Sequence, residues 1–232
     1  MKRIIFSMIF IAAVTTAFAQ GEEGTFSIIP RIGVSIANIS GDKIAYNFNG
    51  DTHKSRNKVG FMGGADFEYM ATEDMSISIG GYYSIQGDRF PDMQITDADG
   101  KITGRARYRT NLDYLNFPVM FNYYVATGVA LKAGCQVCYL IKANSKYEDT
   151  PISVNEKGQK TYGETTKYDS KVTSSYRRFD ISIPIGASYE YMNVILDARY
   201  NIGLYNINSG SLNILKNHNR FFTVSIGYRF QM

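Results

Sequence analysis

The sequence predicts an all-β fold, an eight-stranded antiparallel up-and-down transmembrane β-barrel, on three observations. Its segments alternate apolar with polar or small residues, very short turns alternate with long polar connections, and no segment beyond residue 19 is apolar enough for a membrane-spanning helix. The last segment shows the alternation best. Phe222, Val224, Ile226, Tyr228 and Phe230 take every second place, and Thr223, Ser225, Gly227 and Arg229 fill the gaps. Successive side chains of a strand point to opposite faces, so this segment offers one apolar surface and one able to line a polar interior.

The chain opens with Lys2 and Arg3, runs through the apolar stretch Ile4 to Val14 and reaches the small-residue site Ala17-Phe18-Ala19. That is the pattern of a secretory signal peptide, so residues 1–19 are expected to be cleaved and 20–232 to form one outer-membrane β-barrel domain. Loss of Lys2 and Arg3 takes the formal net charge from +4 to about +2. The cleavage site has no cysteine, which argues against a lipoprotein anchor. Eighteen Tyr, fourteen Phe and twenty-one Gly with no Trp suit strands bounded by aromatic girdles. The expected location is the outer membrane of a Gram-negative cell, with both termini in the periplasm because the strand number is even.

Each strand follows from period-two patterning between turn residues. The first, 25–36, carries Arg31 against its apolar set; the second, 58–71, carries Asp66 and Glu68. The third, 75–86, follows the short turn Thr72-Glu73-Asp74, and the fourth, 110–125, presents Leu115, Phe117, Val119 and Phe121 on one face. Ala126-Thr127 leads to the fifth, 128–142, which holds Lys132. The sixth, 175–190, holds Arg178, Asp180 and Glu190; Tyr191-Met192-Asn193 leads to the seventh, 194–204, with Asp197 and Arg199; the eighth, 219–230, carries Arg229. The remaining connections, 37–57, 87–109, 143–174 and 205–218, are long and belong on the outer side. Two of them read as hairpins extended above the membrane, one turning at Asp99-Gly100 and one at Lys157-Gly158.

Opposite the apolar faces stand Arg31, Asp66, Glu68, Lys132, Arg178, Asp180, Glu190, Asp197, Arg199 and Arg229, five bases and five acids. A balanced set can pair inside a narrow lumen, and eight strands leave an interior that side chains can fill. The lumen is therefore expected to be plugged. A soluble lipocalin-like barrel has the same strand number with the opposite sidedness, its apolar residues turned inward around a ligand. Cys135 and Cys138 fall in one strand on opposite faces, too far apart for a mutual disulfide.

Tyr114-Leu115-Asn116-Phe117-Pro118-Val119 resembles the Tyr-Leu-x-Ile-Pro-Leu signature of PorT-like outer-membrane β-barrel proteins. The stretch Asp180 to Tyr191 is similar to that family's Gly- and Tyr-rich penultimate hairpin, and Phe221 to Phe230 to its closing strand; Gly33 and Ser35 extend the resemblance into the first strand. The sequence departs from the pattern where Asn116 replaces an acidic residue, where Pro184 is added, and where Gln231-Met232 follow the final aromatic. The resemblance implies the barrel and its location and, through a family member linked to protein secretion, accessory work there; the plugged lumen and long outer connections point to a structural or interaction role in the cell envelope. Pro118 lacks a donor N–H and is expected to mark a bend or bulge.

Chemistry is sparse. The two histidines, His53 and His218, fall in outer connections; Asp51 and Ser55 flank His53, but a triad is a matter of geometry rather than of neighbours in sequence. Asp97-Ala98-Asp99-Gly100 fails as a calcium loop because Ile95 and Ala106 occupy the first and twelfth ligand places. No catalytic, cofactor or metal site is expected, and the mixed charges of 143–174 argue against nucleic acid. The rivals are a narrow channel, a ligand-binding barrel and a lipid-modifying enzyme at the rim. The one candidate site is Arg105, Arg107 and Arg109: continued parity through the fourth strand points all three outward above the lipid belt, where lipopolysaccharide phosphates could meet them. Expected partners are thus outer-membrane lipid, lipopolysaccharide, and envelope or secretion proteins.

Overall fold

In the computed structural model, the described residues are 22–41, 43–45, 52–97, 99–155, 158–209 and 216–232. The expected leader, residues 1–19, lies outside them. Eight antiparallel strands close into a ring: β1 (Phe26–Ser40), β2 (Arg56–Thr72), β3 (Met75–Arg89), β4 (Ile102–Ala126), β5 (Val129–Val154), β6 (Phe179–Tyr191), β7 (Val194–Gly203) and β8 (His218–Tyr228). Each pairs with its sequence neighbours, and β1 pairs with β8 (Val34 opposite Val224), which seals the sheet. Closure leaves no open edge, the condition for strands to cross hydrocarbon.

The sidedness is that of a membrane barrel. Along β4, Phe117, Val119, Phe121, Tyr123 and Val125 are exposed while Asn116, Pro118, Met120, Asn122 and Tyr124 are buried. The same holds around the ring, where Ile32, Val34, Phe67, Ile77, Ile79, Leu131, Val137, Ile183, Ile185, Leu196 and Ile226 face out. A lipocalin-like ligand barrel would show the reverse.

Local details differ from the sequence reading. The turn between β4 and β5 is Thr127-Gly128, not Ala126-Thr127, because Gly128 supplies the positive φ of 74°. The sixth strand begins at Phe179 instead of 175: Thr173–Ser175 forms a 3-10 turn, held by Val172 N–H donating to Ala143 and by the Thr173 hydroxyl beside Ala143. Pro118 makes no bulge. Register with β3 is the same on either side of it (Ile79 opposite Val119, Tyr82 opposite Asn116), so the missing N–H leaves a gap in the ladder at Gly80 and Gly81.

β4 and β5 are 25 and 26 residues long, against the roughly 9–11 needed to cross a bilayer. Their outer halves stay paired from Asp113 opposite Lys142 up to Gly104 opposite Pro151, forming a blade that stands above the barrel. Met93–Thr96 adds to the β4 side and Thr166–Lys171 to the β5 side. The expected hairpins are both present, one from Met93 back to Ala106 and one in which Val154 meets Lys160. Lys157 itself lies outside the described residues.

Candidate functional site

The lumen is filled in layers. Nearest the short turns, Arg229 sits between Glu68 and Glu190, with Nη1 2.9 Å from Glu68 and Nε 2.8 Å from Glu190. All five of its N–H donors are used, the others going to Ser27, to the Tyr124 hydroxyl and to the second Glu190 oxygen. Tyr124 in turn donates to Glu68 at 3.0 Å, and Asn122 donates to the other Glu68 oxygen at 3.3 Å.

Above this triad lies a second cluster. Arg199 reaches Asp197 at 2.7 Å and Asp66 at 3.0 Å; Arg31 reaches the same two carboxylates at 3.4 and 2.9 Å; Lys132 closes on Asp197 at 2.9 Å. The Arg199 guanidinium also lies over the Tyr82 ring, 5.7 Å from its centroid. Three cations face two acids here and one cation faces two acids below, so the two clusters carry opposite formal charges of one unit. The inward side of Gly80 is what admits Asp66, since a Cβ there would collide with its carboxylate and with Tyr82.

Higher still come neutral amides and hydroxyls: Gln86 and Asn116 around Ser84, Gln136 on Ser182, and Asn219 on Gln86. Asn116, where the PorT-like pattern has an acid, thus makes neutral hydrogen bonds. The mouth at the end of the long connections is closed by an apolar layer of Ile39, Leu112, Tyr114, Cys138, Leu140, Ala143 and Ile207, against which Val172 and Tyr176 pack. The void bordered by Arg31, Tyr82, Asn116 and Arg199 is only about 20 Å³, roughly room for one water.

Nine of the ten charged residues expected inside are buried there; Arg178 is not. It precedes β6 and gives its guanidinium to the carbonyl oxygens of Leu140 and Ile141. Asp180, also buried, accepts from its neighbouring Ile181 N–H instead of from a cation. Cys135 is exposed and Cys138 buried, both as free thiols.

The blade carries the other candidate. Arg105, Arg107 and Arg109 share one face with the outward residues of β4, as parity required, since the bulge between Leu140 and Lys142 belongs to β5 and the one at Thr103 lies beyond Arg105. Arg107 clasps Asp92 in two hydrogen bonds, at 2.8 and 3.1 Å. That bonding, and then the carboxylate's charge, hold its proton more tightly than usual. Arg105 lies 3.5 Å from Asp92, and Arg109 lies 3.3 Å from Glu148.

His218, expected in a loop, is the first residue of β8 and pairs with Ser40. His53 lies opposite Ile44 in a short strand pair; its side chain and Asp51 fall outside the described residues. The Ser55 hydroxyl donates to the Ile39 carbonyl at 3.0 Å. Among the described residues no group of His, Cys, Asp and Glu could hold a metal ion.

A family model for the outer membrane protein beta-barrel domain matches residues 18–209. The chain belongs to that family. It is therefore an outer-membrane barrel of Gram-negative type. No curated protein matches the chain. Among solved structures it is similar to Ail, the attachment invasion locus protein of Yersinia pestis, at 15% identity over 90% of this chain and 99% of that one, TM-score 0.44. It is also similar to Neisserial surface protein A at 13% identity over 90% of this chain and 100% of that one, TM-score 0.42. A third is the outer membrane protease OmpT of Escherichia coli, 14% identical over 94% of this chain and 99% of that one, TM-score 0.34.

Proposed function

We propose that this barrel is a closed structural and interaction component of the cell envelope, inserted by its apolar exterior and working through its outer blade. The observation that carries the reading is the contrast between its two ends of investment: a lumen filled by two ion clusters and an apolar lid, and an extramembrane sheet built from the outer halves of β4 and β5. A transported solute has no path, whereas a partner meets an ordered polar surface. Purified protein in planar bilayers is expected to give no steady conductance; a stable open level would overturn the closed reading.

The role is binding rather than catalysis, supported by the engagement of Ser55 with Ile39. Substituting His53 is accordingly expected to leave membrane lipid composition unchanged. Both chain ends belong on the periplasmic side, because Phe26 and Gln231 lie at the same end as the short turns. A C-terminal tag should resist protease added to intact cells.

Within this role the PorT-like segments at 114–119 and 180–191 support a secretion accessory. Photocrosslinking in intact cells from position 168, an exposed tyrosine on the blade, should then capture a component of a secretion apparatus. Capture of lipid-carrier or unrelated surface proteins alone would remove that assignment while leaving the barrel reading intact.

A further inference from the structure

Across the blade, the register sets like charges side by side. Arg56 is opposite Arg89, Arg89 opposite Arg109, and Arg109 opposite Lys146; the row meets an acid only at Asp169. Directly opposed like charges destabilise a sheet pair. Cations held in such a row are relieved by an anion shared between them, and the acids nearby do not suffice. Glu148 is divided between Arg109 and Arg107, Asp169 goes to Lys146, and Asp92 is taken up by Arg105 and Arg107. Among the described residues no carboxylate pairs with Arg89, whose Nε donates to the Asn57 carbonyl.

The same row borders open space. Arg89, Arg109 and Lys146 edge a groove of about 430 Å³, and Arg109 and Lys146 edge a second of about 320 Å³ with Lys167. Height selects the ligand. Leu115 is the uppermost apolar outward residue of β4, but Ile141 carries the belt of β5 up to the level of Asp113, and Arg109 lies four residues beyond that, about 13 Å along the strand and about 10 Å above the belt at barrel tilt. The polar layer of a phospholipid bilayer is only about 5–8 Å deep. The row therefore stands above phospholipid head groups, at the level of the sugars of an outer-leaflet glycolipid.

We infer that Arg89, Arg109 and Lys146 form a binding ledge for phosphate groups carried on the saccharide part of lipopolysaccharide. This rests on the outer-membrane reading and moves the centre of the expected arginine site. Arg105 and Arg107 share Asp92 and shape the groove, whereas in the register row Arg109 has only a shared Glu148, Lys146 has Asp169 and Arg89 has no carboxylate, so the row holds more cation than acid. Two guanidiniums and an ammonium suit the bidentate and point-charge recognition of phosphate oxygens.

The test uses the full processed chain in detergent micelles, titrated calorimetrically with a fully deacylated, phosphorylated lipopolysaccharide oligosaccharide. Parallel titrations use the phosphatase-treated oligosaccharide, inorganic phosphate, and nanodiscs containing phosphatidylglycerol. Saturable binding of the phosphorylated sugar alone, weakened by salt, is expected. The variant Arg89→Gln/Arg109→Gln/Lys146→Gln should weaken it by about tenfold or more, and Lys101→Gln/Lys160→Gln should not. Equal binding of the dephosphorylated sugar, of inorganic phosphate or of phosphatidylglycerol overturns the ledge, as does unchanged affinity of the triple variant. The wild-type titrations decide the matter even if that variant fails to fold. Heat-dependent gel mobility of the wild type reports separately on the barrel, so loss of the ledge and loss of the outer-membrane reading remain distinguishable.

Discussion

Arg229 shows what one residue does in a sealed interior. Its five donors meet five acceptors, and through Tyr124 it holds β4 to the acids of β2 and β6. Removing one partner of a buried ion pair leaves a charge without compensation, at a cost of about 3–5 kcal/mol, while neutral replacement of the whole set costs far less. Arg229→Ala should therefore lower the urea midpoint of the barrel in lipid vesicles by an amount of that order. Arg229→Met combined with Glu68→Gln and Glu190→Gln should regain more than half of the loss. Because the chain has no Trp, heat-dependent gel mobility is the suitable readout; a triple variant no more stable than Arg229→Ala would contradict the account. Most interior charges were legible from parity alone. Arg178 was not, because a 3-10 turn ahead of β6 breaks the alternation that its neighbours Asp180 and Ser182 keep. Tyr124 was also missed, although its even position beside Asn122 places it inside.

At the scale of elements, sequence located the eight barrel strands and erred at their ends, and it left the short pair 43–45 with 52–54 and the added strand Thr166–Lys171 inside long connections. Turn chemistry explains the errors: Gly128 required a positive φ, and Leu140-Ile141-Lys142 hid a bulge inside an apolar run. The lid of Leu112, Tyr114 and Leu140 was equally hidden, because apolar residues on the inward parity contradict a polar-lumen pattern. The turn joining β6 to β7 offers an element-level test. Tyr191 pairs with Val194, and between them Met192 and Asn193 both have positive φ, 48° and 65°. Asn tolerates that conformation; Met carries a Cβ penalty of about 1–2 kcal/mol, partly offset in a glycine variant by the entropy of the unfolded chain. Met192→Gly should thus stabilise the barrel by about 0.5–1 kcal/mol. Equilibrium urea titration in vesicles measures it, and a midpoint shift downward would show that Met192 makes a compensating contact.

For the whole molecule the governing quantity is the medium that touches the outward face. Val119 and Val125 are a matched pair for asking it: same residue, same strand, same face, 43% and 50% exposed. They differ in depth, since Val119 lies near the middle of the apolar outward stretch from Leu115 to Val125, and Val125 one residue from the end of β4. An outward arginine costs about 2–4 kcal/mol at the midplane of a bilayer and about 0–1 near its surface. Val119→Arg should therefore destabilise the protein in phospholipid vesicles by several times more than Val125→Arg, measured by reversible urea unfolding. Water on the outside would make both changes small and equal, since an outward arginine is then solvated at either position. The blade supplies the internal control. Arg107 and Arg109 already point outward on the same strand face, and they are tolerated because that part of β4 has risen beyond the apolar belt ending at Leu115. Depth along one strand thus sets where a cation is costly and where it is free to bind.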